Sequence, residues 1–207
     1  MFLVGISVLI VILFYQSMLN LLNLILNRNC NWFIVPVFFC SWYGIYYSYQ
    51  QTFNYFNEDA FVLSYHQAYF TITECVMTFT TYVLLSSETT RSLLSNGNTV
   101  CKSKVFSFLL WFVMATSITH SVQIVLDQGL SKINDSIFLR DLLLFVTDLP
   151  YTVMSGYYLG LHQFIKYYLG MGHVENDFLK STWRNLFLTG MSVLAVVWFL
   201  SNVTFGG

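Results

Sequence analysis

Charge is what this sequence lacks most. Of its 207 residues, nine are Lys or Arg and ten are Asp or Glu, a charged fraction of 9%. A water-soluble domain carries charge on about a quarter of its residues, so the composition leaves no room for a soluble domain. The formal net charge is −1 and no dense basic block occurs, which excludes nucleic acid and strongly charged polymers as partners. Paired cysteines are missing too. Cys30, Cys40, Cys75 and Cys101 form no CxxC pair and show no His/Cys spacing suited to a tetrahedral zinc site, so free thiols, no metal and no cofactor are expected. The chain runs uncharged over residues 2–27 without a basic leader or small-residue cleavage pattern, so its first apolar run is expected to be a retained span.

Other absences narrow the function classes. Residues 185–203, the last apolar run, contain no lysine, which excludes a retinal-binding arrangement. His66 and His162 sit at the ends of apolar runs and only His120 lies well inside one, which excludes facing histidine pairs for two haems. No catalytic or nucleotide-binding motif, internal repeat or low-complexity linker is present.

What the chain does have is hydrophobic residues, 56% of the total. Apolar runs cover about residues 2–26, 32–49, 61–85, 105–126, 137–161 and 183–203, and runs of this length match a hydrocarbon core roughly 30 Å thick. The expected fold is all-α, a polytopic transmembrane bundle of about six spans forming one domain over residues 1–207. Tyr and Trp bunch around residues 42–49, 157–158 and 167–168, as in interfacial belts.

Cytoplasmic connections retain positive charge. The first, third and fifth links hold Arg28, then Arg91, Lys102 and Lys104, then Lys166, Lys180 and Arg184, which is seven of the nine basic residues. Odd links are therefore expected inside and both termini outside or lumenal, in a plasma membrane or endomembrane, with an organellar membrane as the other setting. Asn134-Asp135-Ser136 is an N-glycosylation pattern in an outer link, and Cys30 and Cys101 fall on the reducing side.

Polar residues at membrane depth are the functional clues. Gln67, Thr71, Glu74, Thr78 and Thr81 recur every three or four residues, and so line one helical face. Asp141, Asp148, Thr152 and Ser155 share a face of the fifth span, where Pro150 is expected to interrupt the helix and open a hydrated cavity. Thr116, His120, Gln123 and Asp127 make a matching face of the fourth span. Glu74, Asp148, His120 and Asp141 are thus the candidate proton or cation sites, with Thr71, Thr78, Thr116, Thr152 and Ser155 lining the path. Glu74 and Asp148 fall at similar depth, and a shared cavity would keep one of them from ionising cheaply. Gln16, Asn20 and Asn23 on the first span are expected to face other helices.

The first reading is a small transporter or channel-like protein whose partners are lipid, a proton or small cation, and a membrane protein or second copy. The alternative is a non-catalytic subunit or assembly factor of a larger membrane complex. An enzyme is a weaker reading: a lipid hydrolase could gather His120, Asp148 and Glu74 around a metal or water, but their spacing matches no motif.

Overall fold

A computed structural model describes residues 2–57, 61–93, 103–130, 135–171 and 176–205. All named secondary structure in them is α-helical: α1 (Phe2–Leu26), α2 (Val35–Asn57), α3 (Phe61–Leu84), α4 (Ser87–Leu93), α5 (Lys104–Leu130), α6 (Asp135–Tyr158), α7 (Leu161–Tyr168) and α8 (Asn176–Phe205). Contacts divide the chain into two compact units, Met1–Ser92 and Leu93–Gly207.

The first unit is organised by its turns. α1 ends in a Schellman motif, with Asn29 N–H donating to Leu24 O at 2.9 Å and Arg28 N–H to Ile25 O at 3.0 Å. Arg28 sits there at φ 53°, a left-handed conformation that glycine adopts without steric cost. At the end of α7 the equivalent position is Gly170, at φ 72°. Replacing Arg28 by Gly should therefore raise thermal stability in detergent by about 1 kcal/mol, the order of the left-handed penalty. A loss of stability would show that the guanidinium contributes more than its backbone strain costs.

The hairpin that follows brings α2 back along α1. Ser7 Oγ and Tyr49 Oη share a hydrogen bond of 2.5 Å, and the Phe14 and Trp42 rings meet edge-on at 5.2 Å. Both pairs lie symmetrically about Arg28, as an antiparallel register requires. The turns at residues 27–34 and 85–87 then pair with each other: Asn31 N–H donates to Leu85 O and Ser87 N–H to Asn29 O, each at 2.8 Å. Asn29 reinforces the joint, accepting from Glu88 N–H at 2.9 Å and donating to Ser86 Oγ at 3.2 Å. Ser86 caps α4 by accepting from Thr89 N–H at 3.3 Å. The turns at residues 27–34 and 85–88 thus lie at one end of the unit. Cys30, in the first of them, is buried, and burial pushes its thiol up from the ordinary range.

In the second unit α5 packs along α6 and α8. α6 ends at Tyr158, and Gly160, at φ 76°, reverses the chain into α7. No residue of α7 is buried; Trp183 of α8 donates from Nε1 to Tyr168 Oη at 2.7 Å, and its ring meets Phe164 at 5.4 Å.

Among the described residues, two helices are long and apolar enough to cross a membrane by length and composition: Gly5–Leu26 in α1 and Lys104–Val122 in α5. A signal sequence meets the same standard at an N-terminus, and so does a core helix of a soluble protein. The other four long helices have 23, 24, 24 and 30 residues, ample length at about 1.5 Å per residue. Polar residues lower the hydropathy of three of them: Gln50, Gln51 and several Tyr in α2, Glu74 and a run of Thr in α3, and Arg140, Asp141 and Asp148 in α6; in α8, Lys180 and Arg184 precede an uncharged run.

Candidate functional site

Hydroxyl residues on a helix ordinarily bond back to their own turn, and Thr116 and Thr119 on α5 do. Thr116 Oγ1 donates to the Phe112 and Val113 carbonyls at 3.0 Å, and Thr119 Oγ1 to Ala115 O at 2.8 Å. Ser117 instead reaches across to α6. Its Oγ donates to the main-chain oxygen of Asp148 at 2.6 Å and lies 2.8 Å from Thr152 Oγ1. Since the Ser117 proton is used on the carbonyl, Thr152 supplies the proton of the second bond.

One turn further along α5, His120 is 2% exposed and its Nδ1 lies 3.7 Å from Asp148 Oδ1, with Asp148 itself 4% exposed. The two atoms are at ion-pair distance and beyond direct hydrogen-bond reach, so a proton would pass between them through a bridging water or a small closure; both groups can also ligate a small cation. Ser155, one turn past Thr152 on the same face of α6, is fully buried, and its Oγ has no hydrogen-bond partner among the described residues. Asp148, Thr152 and Ser155 are three of the four residues assigned by spacing to one face of α6, and Ser117 and His120 of α5 meet that helix at Asp148 and Thr152. Ser117 was not anticipated, because it lies beside the Thr116–His120 spacing; its own spacing of three from His120 was the available signal.

Pro150 behaves differently from expectation. α6 runs unbroken from Asp135 to Tyr158 with the proline inside it. The two bonds from Ser117 to the adjacent turn brace the helix where the proline has removed a backbone donor.

In the first unit, the polar face of α3 turns toward α2. Thr78 Oγ1 donates to Ser41 O at 3.3 Å, and Thr71 and Thr52 share a hydroxyl bond of 3.1 Å. Between them Glu74, 5% exposed, lays its carboxyl against Gly44. A Cβ at position 44 would overlap Oε2 and come within 2.6 Å of Cδ. The atoms in the way belong to the far end of a flexible side chain. Gly44→Ala should therefore leave the protein folded, with less than about 2 kcal/mol lost, while displacing the Glu74 carboxyl. Infrared difference spectra of the carboxyl band would register the shift; an unchanged band with unfolded protein would contradict it.

Several expectations find no placement. Asn134 lies outside the described residues, and the side chains of Gln67, Gln123, Asp127 and Asp141 are not described. Glu74 belongs to the first unit and Asp148 to the second. Among the described residues of the first unit, Gln16 and Asn23 are exposed rather than packed on another helix, and Asn20 is half-buried. The three described cysteines, Cys30, Cys40 and Cys75, are thiols that take part in no disulfide.

A family model described as "Family of unknown function (DUF8801)" matches residues 1–203. The chain belongs to this family. No curated protein and no solved structure matches it. The family match extends across both units, so α1 and the His120–Asp148 pair fall within one matched region.

Proposed function

We propose that this protein is a six-span membrane protein of transporter-like or channel-like type, which handles protons or a small cation at polar sites between its helices. The observation that carries this reading is the buried His120–Asp148 pair, backed by the Ser117 and Thr152 hydroxyls on two long helices. A buried ionisable pair adds little to stability once its desolvation is counted, so a role in proton or cation handling accounts for it better than packing does. Glu74, set against Gly44 in α3, is the second site in this reading. The six long helices each exceed the length needed to cross about 30 Å of hydrocarbon.

The membrane orientation in this reading puts odd links inside and both termini outside or lumenal, with Asn134 glycosylated. The pairing of the turns at residues 27–34 and 85–88 at one end of the first unit agrees with it. The test is direct. The purified chain in liposomes should dissipate an imposed pH gradient or take up a monovalent cation, read by an entrapped dye. Liposomes no leakier than empty ones would favour the second reading, a non-catalytic subunit or assembly factor. The exposed Gln16 and Asn23 on α1 are the observation that favours that alternative.

A further inference from the structure

α1 is packed on one side only. Ser17 and Leu21 are buried and Ser7 meets Tyr49 of α2, whereas most of the remaining circumference is exposed. On the exposed side, positions 5, 9, 12, 16, 19, 23 and 26 recur in alternating steps of four and three, and all seven are exposed. That is an uninterrupted heptad seam in which Leu9, Gln16 and Asn23 occupy one core position and Gly5, Ile12, Leu19 and Leu26 the other. Covered by lipid alone, the seam would hold two amides in hydrocarbon, which costs about 1 kcal/mol or more for each unpartnered group. Gln16 makes no hydrogen bond among the described residues. Asn23 accepts one through Oδ1 from Asn27 Nδ2 at 2.9 Å, which leaves its own NH₂ to donate.

We propose that this seam is the interface of a parallel homodimer, with α1 packed on α1 of a second copy so that Gln16 meets Gln16 and Asn23 meets Asn23 across the two-fold axis. Copies inserted in one membrane share an orientation, so their symmetry axis lies along the membrane normal and residues of the same number face each other. Such an interface accepts only residues that complement themselves. Apolar side chains do, and so does an amide, which both donates and accepts; a charged residue would repel its own copy. α1 carries no charge at all. Gly5 has nothing within 4 Å of where a Cβ would stand, which leaves room for a second backbone to approach. Two amides one heptad apart would fix register and copy number, as buried polar core positions do in coiled coils. The inference requires α1 to be retained as a span and is independent of any transport activity.

The full chain, with its native cysteines replaced by alanine, tests it in native membranes and in nanodiscs. Leu19→Cys, on the seam, should form a disulfide-linked dimer at least about fivefold faster than Val11→Cys, which lies off it although it is the more exposed of the two, 66% against 43%. Parent protein in nanodiscs should run as two copies per disc by native mass spectrometry, each retaining α1. Gln16→Leu combined with Asn23→Leu should weaken the dimer about tenfold, as loss of two interhelical amide contacts predicts, without loss of folded protein. One copy per disc, cleavage of α1 from the mature chain, equal cross-linking at Leu19→Cys and Val11→Cys, or an undiminished dimer in the double variant would each overturn it.

Discussion

Asn in place of Asp148 is expected to cut pH-driven flux in liposomes by about tenfold or more, the order seen when a positioned proton-transfer group is removed, with folded protein at normal levels. The structure supplies the reason that folding survives. Ser117 bonds the main-chain oxygen of Asp148, not its carboxyl, and bonds Thr152 through hydroxyls, so neither bond is lost in the variant. What the variant removes is a carboxyl that can change protonation state beside His120 Nδ1. His120→Gln keeps a polar side chain of similar reach but cannot change protonation state, and should show the same loss. Glu74→Gln probes the acid of the first unit and should also depress flux if both sites lie on the path. Normal flux in all three variants would remove the transport reading and leave the subunit reading in its place.

Helix positions were legible from apolarity because backbone bonds and apolar periodicity coincide in most of this chain. α1 and α3 fall where the apolar runs predicted them. The disagreements come where the two separate. α2 continues through Gln50, Gln51 and Asn57, residues that a helix tolerates and hydrocarbon does not, so a reading by hydropathy stopped at residue 49. It also starts later, because Ile34 N–H closes a turn on Asn31 O and Asn31 pairs with Leu85. α8 begins at Asn176, seven positions before the apolar run, since Asp177 in its first turn suits a helix N-terminus. The short α4 and α7 left no apolar signature. The joint between residues 29–31 and 84–88 was invisible because it links segments more than fifty residues apart through amides with no pattern of their own.

The polar stripes divide along the same line. A stripe's existence follows from spacing, and α3 and α6 present theirs as expected, with Thr71, Glu74 and Thr78 toward α2 and Asp148 toward α5. Which surface a stripe faces depends on packing. On α1 the same spacing of Gln16, Asn20 and Asn23 turned largely outward, because small and apolar residues such as Ser17 and Leu21 took the packed side. The proline was misjudged for a related reason: sequence shows the donor that Pro150 removes, but not the serine on the neighbouring helix that braces the adjacent turn.

Membrane orientation offers an all-or-none outcome. Single cysteines placed at Asn57 and Gly129 should react with an impermeant maleimide in intact cells, while those at Asn98 and Gly172 should react only after the membrane is opened. The expectation rests on seven of nine basic residues in odd links, which the insertion machinery retains on the cytoplasmic side. It gains support from the first unit, where the turn carrying Arg28 and the turn leading to Arg91 are joined by backbone hydrogen bonds and so must emerge on one side. Native Cys30 lies in that joint and contributes little background, since burial shields it and raises its thiol, leaving less thiolate to react at neutral pH. Labelling at Asn98 and Gly172 in intact cells, with Asn57 and Gly129 silent, would invert the orientation and place Asn134 on the side where glycosylation does not occur. Labelling at only one member of either pair would break the six-span arrangement itself, because an odd number of crossings would then separate two links that six spans put together.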